Sequence, residues 1–239
     1  MKKISLVLIS LFALMFVISC QEDKKVESEP VTLPTKSGSE IFYQVQFDLP
    51  VRVSVQRSET KSYEVFATEA DLKKVMVDIH KGRLKFGIRK GERLEETVKI
   101  NIRTSNLESV KMNGSGRVEI AAGTMAVEKA SLIVTGSGTI RADLKEQKIL
   151  NTVLAGSGRL ELTGRTEEAD IAISGSGDVL ALGLSSKLAK VNISGSGECQ
   201  IHVTDTLDVT IAGSGDVYYK GEPEISRRMV GSGQVLKKE

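Results

Sequence analysis

The segment ISGSGECQI, residues 193–201, places a Gly-Ser-Gly turn between two stretches in which apolar and polar residues alternate. Such turns recur through the second half of the chain. They lie at residues 114–116, 136–138, 156–158, 175–177, 195–197, 213–215 and 231–233. Equivalent positions are therefore about 20 residues apart, and a constant period of this length is typical of stacked repeats.

The residues that flank the turns repeat as well. The position two before each first glycine is always apolar: Met112, Val134, Leu154, Ile173, Ile193, Ile211 and Met229. The position two after each last glycine is also apolar: Val118, Ile140, Leu160, Val179, Cys199, Val217 and Val235. Stacked coils bring equivalent residues into register about 4.8 Å apart, so these positions predict two continuous inward ladders.

The glycines are interpreted as corners, because glycine tolerates positive φ and close backbone approach. Each repeat then consists of a strand, a corner, a second strand and a variable return. The returns, such as residues 143–148, carry the variation in spacing and are expected to be surface loops. The region 106–239 is thus predicted to be a stack of β-coils.

The preceding region, residues 39–105, alternates apolar and polar residues with a period of two, which is the pattern of half-buried strands. Pro50 marks the start of one strand, and Gly82 suits a tight hairpin turn. Residues 69–74 permit a single helical turn. The fold class predicted for the whole is all-β: a β-superhelix, or solenoid, with an N-terminal region of alternating strands.

The first residues are typical of an export signal. Two lysines precede an apolar stretch, residues 4–18, which is too short to favour a membrane span. The segment 17–20, Val-Ile-Ser-Cys, resembles a bacterial lipobox. Residues 1–19 are therefore predicted to be a signal peptide, Cys20 a lipidated cysteine, and residues 20–38 a flexible tether. An uncleaved anchor or a free thiol at Cys20 is the alternative.

Charge and cysteine content narrow the classes of partner. The formal net charge is +2, and removal of residues 1–19 leaves as many basic as acidic side chains. This balance argues against a nucleic-acid partner. The chain has two cysteines, so a lipidated Cys20 leaves Cys199 alone and excludes a disulfide framework. Cys199 occupies an inward ladder and is expected to be a buried structural thiol.

These features together resemble the auto-transporter adhesin, head GIN domain family. The resemblance is carried by the alternating strands of residues 42–103, by the segment 107–110, Leu-Glu-Ser-Val, and by the spaced turns that begin at residue 114. It covers roughly residues 40–236. It implies a β-superhelix of pectin-lyase-like outline in an envelope or secreted protein with an adhesive role. It assigns no catalytic residues.

Three consecutive repeats carry an acid directly after the turn: Asp178, Glu198 and Asp216. In a stack these carboxylates become neighbours, which suggests a possible site for a hard cation. A pair of these carboxylates could also serve in glycoside hydrolysis. The alternative without a function is a solvated acidic stripe that Arg159 partly neutralises. A strand, and not a helix N-terminus, follows each turn, so phosphate binding by the glycines is disfavoured.

The sequence favours a non-enzymatic, lipid-anchored adhesion or binding module without a cofactor. Its expected location is the outer membrane of a Gram-negative cell, facing the periplasm or the surface. The ligand would be a protein or a glycan, and exposed end coils, which favour self-association, suggest a homo-oligomer. A polysaccharide-active enzyme of pectin-lyase-like fold and a structural or sensing component of the envelope are the alternatives.

Overall fold

A computed structural model describes residues 31–32 and 41–238 of the chain. The predicted signal peptide and Cys20 lie outside the described residues. The described elements are strands and one short helix, which confirms the all-β prediction. In chain order they are β1 (Val31–Thr32), β2 (Gln44–Phe47), β3 (Val51–Arg57), β4 (Ser62–Ala67), α1 (Glu69–Leu72), β5 (Val75–His80), β6 (Arg83–Ile88), β7 (Val98–Thr104), β8 (Ser109–Gly114), β9 (Gly116–Ile120), β10 (Lys129–Gly136), β11 (Thr139–Gly156), β12 (Arg159–Gly175), β13 (Asp178–Gly195), β14 (Glu198–Gly213), β15 (Asp216–Lys220), β16 (Glu224–Gly231) and β17 (Val235–Lys237).

The corners divide the stack into two faces. The first sheet has the order β5, β6, β2, β8, β10, β11, β12, β13, β14, β16, and its pairs are parallel from β6 onward. From β8 onward each of its segments ends at the first glycine of a corner. The second sheet has the order β1, β4, β7, β3, β9, β11, β12, β13, β14, β15, β17, and its pairs are parallel from β7 onward. From β9 onward each of its segments follows a Gly-Ser-Gly corner. The long strands β11 to β14 bend and contribute to both sheets, so the chain winds as a solenoid.

Both predicted inward ladders are present in register. In the first sheet Val134 pairs with Met112 on one side and with Leu154 on the other. Twelve of the fourteen ladder residues are buried, and the two exceptions, Met229 and Val235, belong to the last repeat. Burial of branched side chains stabilises the stack by roughly 1.5–3 kcal/mol each. The core is therefore continuous, and each coil covers the next.

The Gly-Ser-Gly corners touch one another directly. The backbone N–H of Ser176 donates to the carbonyl oxygen of Gly156 at 2.9 Å, and that of Ser196 donates to Gly175 at 2.9 Å. The first glycine of each corner has positive φ, +120° at Gly175. A Cβ atom there would lie 2.5 Å from the Gly156 oxygen. These are structural corners, as the sequence predicted.

The N-terminal strands extend the stack beyond its predicted start at residue 106. Strands β2 and β3 come first in the chain, yet in space they lie between β6 and β8 and between β7 and β9. Their corner is Asp48-Leu49-Pro50 in place of Gly-Ser-Gly. The Asn113 amide donates to Asp48 at 2.6 Å, and Lys85 forms an ion pair with it at 2.9 Å. Burial acts to raise the pKa of Asp48, but hydrogen bonds from Gln46, Lys85 and Asn113 outweigh it and lower the pKa.

The two ends of the stack differ. At the N-terminal end β4 and β5 pair antiparallel with β7 and β6, and the predicted hairpin at Gly82 and helical turn at residues 69–74 are both present. The buried Asp71 carboxylate fixes this cap, because it accepts hydrogen bonds from the backbone N–H groups of Glu95 and Glu96. At the C-terminal end every residue of β16 is exposed. The stack is therefore covered at its N-terminal end and open at the other.

The returns differ from the expectation of surface loops. Residues 143–148 belong to the continuous strand β11, with one register shift between Asp143 and Glu146. Leu144 is buried, and the buried Gln147 amide donates to the carbonyl oxygens of Met125 and Leu144. The returns form a third side of each coil, between the two sheets, and the extra residues form a bulge there. The backbone pairing therefore continues before and after the bulge. Within the described ranges no helix has the length and apolar character needed to span a membrane.

Candidate binding face

The outward face of the second sheet carries a segregated row of charge. Its side chains occupy the position directly after each corner and its equivalents in β3 and β7. In register across the sheet the row contains Lys99, Arg52, Arg117, Thr139, Arg159, Asp178, Glu198 and Asp216. We call Lys99, Arg52 and Arg117 the basic ladder, and Asp178, Glu198 and Asp216 the acidic stripe.

The acidic stripe is stacked as the sequence predicted, and each of its carboxylates accepts a hydrogen bond. Arg159 donates to Asp178 at 2.7 Å, and this carboxylate raises the pKa of the Arg159 guanidinium. The Gln200 amide donates to Glu198 at 2.5 Å. The backbone N–H of residue 234 donates to Asp216 at 2.8 Å. Among the described residues no group of three or more His, Cys, Asp or Glu side chains could hold a metal ion. Cation binding by the stripe stays a prediction.

The basic ladder lines a groove of about 770 Å³ at the N-terminal end of the same face. Its three side chains are exposed. None of them forms an ion pair or a side-chain hydrogen bond with another described residue. The remaining polar lining consists of Ser54, Thr97, Asn101, Glu119 and Thr139. Three cations thus share a depression with one carboxylate, and the other polar side chains of the lining are uncharged hydrogen-bonding groups.

The arrangement of the basic ladder is unfavourable for folding by itself. Arg52 pairs with Lys99 on one side and with Arg117 on the other, so like charges lie directly opposite each other on adjacent strands. Such pairs are destabilising. A bound anion would remove the repulsion and gain charge-assisted hydrogen bonds from planar guanidinium groups. The ladder is therefore the part of the face best suited to binding an anionic ligand.

A second depression of about 600 Å³ lies beside the groove, toward the returns. Leu180 and Leu182 contribute apolar surface to it, whereas Arg141 and Glu161 form an ion pair at 2.5 Å. These two charges neutralise each other, and the remaining charged residues of the lining, Glu119 and Asp143, are acidic. This depression therefore does not suit an anionic ligand as the basic ladder does.

The sequence identified some of these positions and missed others. Cys199 is buried as predicted, and burial raises the pKa of its thiol to about 12, so it is not a nucleophile at neutral pH. The sequence pattern does not identify Arg52 or Lys99 as part of a site. Alternation marks Arg52 as outward-facing, but no repeat links its strand to Arg117, and only the pairing of β3 with β9 brings the two together.

Comparison with known proteins places the fold. A model of the family described as "Putative auto-transporter adhesin, head GIN domain" matches residues 41–223. No curated protein matches significantly. Among solved structures, that of a putative adhesin from Bacteroides fragilis has a TM-score of 0.77 and 18% identity, covering 87% of this chain and 97% of that one.

Two further structures come from Parabacteroides. A putative adhesin from Parabacteroides merdae has a TM-score of 0.67 and 22% identity, and it covers 89% of this chain and 98% of that one. A putative lipid binding protein from Parabacteroides distasonis has a TM-score of 0.70 and 23% identity, with coverage of 89% and 98%. These likenesses bear on the fold alone.

Proposed function

The chain belongs to the head GIN domain family of putative auto-transporter adhesins, and from this premise we propose that it is a non-enzymatic binding module of the cell envelope. Its working surface is the outward face of the second sheet, where it adheres to a protein or glycan of another surface. The observation that carries the proposal is the basic ladder: three exposed cations in one groove of a rigid sheet, none of which forms an ion pair with another of the described residues.

Rigidity supports this role. The second sheet is held by parallel pairing from β7 onward and by a continuous buried core, so the outward side chains of these strands have fixed spacing. A surface that is already ordered loses little conformational entropy on binding. Adhesion by such a face requires no conformational change in the protein.

The second part of the proposal concerns attachment. Cys20 carries lipid after removal of residues 1–19, and residues 20–38 tether the domain to the outer membrane, facing the periplasm or the cell surface. One acyl group gives only marginal membrane binding, and stable anchoring takes more than one. Mass spectrometry of the protein from its native membrane tests this: a Cys20→Ser variant should lose both the added lipid mass and the membrane fraction.

Adhesion is tested with the full-length chain purified in neutral detergent and labelled with a fluorophore. We expect saturable binding to intact bacterial or epithelial cells, displaced by the unlabelled protein. Labelled detergent micelles without protein serve as the control. Binding that rises linearly with concentration and resists displacement would contradict the adhesive function.

The polysaccharide-active enzyme remains the alternative, resting on the acidic stripe. It predicts release of reducing ends from a glycan panel, and the activity should disappear in Asp178→Asn and Asp216→Asn. We expect no release, because Asp178 is held in an ion pair with Arg159. A structural or sensing component would bind neither cells nor glycans.

A further inference from the structure

We propose that the basic ladder binds an acidic polysaccharide, with its carboxylate or sulfate groups seated on Lys99 and Arg117 and a sugar unit between them on Arg52. This inference rests on the proposed function, since it names the ligand class of the same face. It follows from the spacing of the cations, from the uncharged polar groups beside them, and from the charges that border the groove.

The spacing of the ladder suits a linear polymer. Lys99 and Arg117 lie two strands apart, on either side of Arg52, which is about 9.6 Å at the usual separation of paired strands. That distance is comparable to one disaccharide of an extended chain. Polysaccharides in which every second sugar carries an acid therefore present anions with the period of alternate strands in this sheet.

The rest of the lining suits sugar hydroxyls. Ser54 and Asn101 occupy the adjacent outward positions of β3 and β7, and Thr139 follows Arg117 in the row. Their hydroxyl and amide groups both donate and accept hydrogen bonds. Glu119 is the one acid in the lining, and it repels anions toward the ladder and away from its own side of the groove.

The acidic stripe sets a limit to the site. Arg159 would continue the cationic row, but its guanidinium is paired with Asp178, and Glu198 and Asp216 follow. A polyanion is thus attracted at one end of the face and repelled at the other. The bound segment should extend over the N-terminal strands β7, β3 and β9, and should not continue along the whole solenoid.

Two other polyanions fit less well. Single-stranded nucleic acid is held by successive aromatic side chains on which bases stack. Phe66 lies opposite Lys99 on the neighbouring strand β4 but is half-buried, and the lining of the groove itself includes no aromatic residue. Binding to an anionic membrane would be strengthened by apolar side chains that insert between the lipids. The large apolar side chains exposed in the described residues lie elsewhere: Ile41, Met76, Val153, Leu188, Ile225, Met229, Val230 and Leu236.

The test measures binding of the full-length chain to hyaluronan, which carries a carboxylate on every second sugar, and to heparin oligosaccharide, which adds sulfate groups, with dextran as the neutral control. We expect binding to at least one acidic glycan and none to dextran. The Arg52→Gln/Arg117→Gln variant should bind at least tenfold more weakly. Its melting temperature should be unchanged or raised, since two exposed like charges are removed.

The matched control is Arg227→Gln/Arg228→Gln, which removes the same charge from the exposed strand β16. It should bind acidic glycan as the wild type does. Equal weakening of both variants would mean general charge attraction and would overturn the inference. Equal binding of single-stranded DNA or of phosphatidylglycerol vesicles in the groove would overturn it as well.

The cell-binding assay separates this inference from the proposed function. If the wild type binds cells but neither acidic glycan, the ligand class is wrong and the adhesive function stands. If the wild type binds neither cells nor glycans, both fail. If Arg52→Gln/Arg117→Gln loses cell and glycan binding together, while the control variant keeps both, both are supported.

Discussion

Replacement of Gly175 by alanine should damage the stack far more than the same change at Gly114. Both glycines begin a Gly-Ser-Gly corner and both have positive φ, +120° and +109°. They differ in the atoms that an added Cβ would contact in the neighbouring coil. A Cβ at Gly175 would lie 2.5 Å from the Gly156 carbonyl oxygen, whereas a Cβ at Gly114 meets nothing within 4 Å. The pair therefore separates backbone strain from the collision between coils.

The magnitudes follow from these two contributions. Holding a non-glycine residue in a sparsely populated backbone region costs about 1–3 kcal/mol, and both variants incur this cost. Overpacking typically adds about 1–3 kcal/mol, and only Gly175→Ala incurs it. The added Cβ would also displace the Gly156 oxygen, which accepts a hydrogen bond from the Ser176 N–H. Loss of that bond costs about 1 kcal/mol. Gly175→Ala should therefore lose roughly 2–4 kcal/mol more than Gly114→Ala.

Urea unfolding followed by circular dichroism gives the comparison, with hydrogen exchange to locate the damage. Because coils contact only their neighbours, exchange should rise in the coils on either side of residue 175 and stay low near residue 50. Equal losses for the two variants would refute the reasoning, since the corners would then depend on backbone conformation and not on contact between coils.

Three further outcomes are expected. Ser196→Ala should change the free energy of unfolding by less than about 0.5 kcal/mol, because its backbone N–H and not its exposed hydroxyl makes the corner bond; a larger loss in urea unfolding would contradict this. Cys199 should resist iodoacetamide in the native protein. Because its pKa of about 12 exceeds that of the unfolded thiol, the stability it contributes should fall between about pH 9 and pH 12 relative to Cys199→Ala, and a flat difference would exclude it. Burial alone would raise the pKa of Asp71, but hydrogen bonds from Lys74, Glu95 and Glu96 lower it, so its contribution should be present at neutral pH and lost under acid. Asp71→Asn should lose about 2 kcal/mol at neutral pH and remove that acid dependence in pH-resolved thermal unfolding.

The repeats made the core predictable. The position of Ile193 is apolar in every repeat and buried in six of the seven, because stacking in register turns one column of the sequence into one column of the core. Met229 is the exception, since it lies on β16, which pairs with β14 and is covered by no other strand of the described residues. Its exposure could not be read from its own repeat, which matches the others.

Two features lay beyond the sequence pattern. The variable spacing between successive turns predicts a loop at residues 143–148. Nothing in the local sequence shows that a bulge there lets the strand continue. The position of β3 between β7 and β9 pairs Arg52 with residues 47 and 65 positions later in the chain, Lys99 and Arg117. Alternation gives the facing of Arg52 but not its neighbours, so the candidate site required the three-dimensional register.

The interior position of β2 has a mechanical consequence. Residues 44–47 enter the fold from the N-terminal side and are held by hydrogen-bonded neighbours on both edges, β6 and β8. A pull on the chain from that side first strips the two-residue strand β1 from β4 and then meets β2. Since β2 is not an edge strand, it cannot peel away from a single partner, and its bonds to two strands must yield together. Under the attachment proposed above, load would enter the domain at a strand whose sheet resists shear.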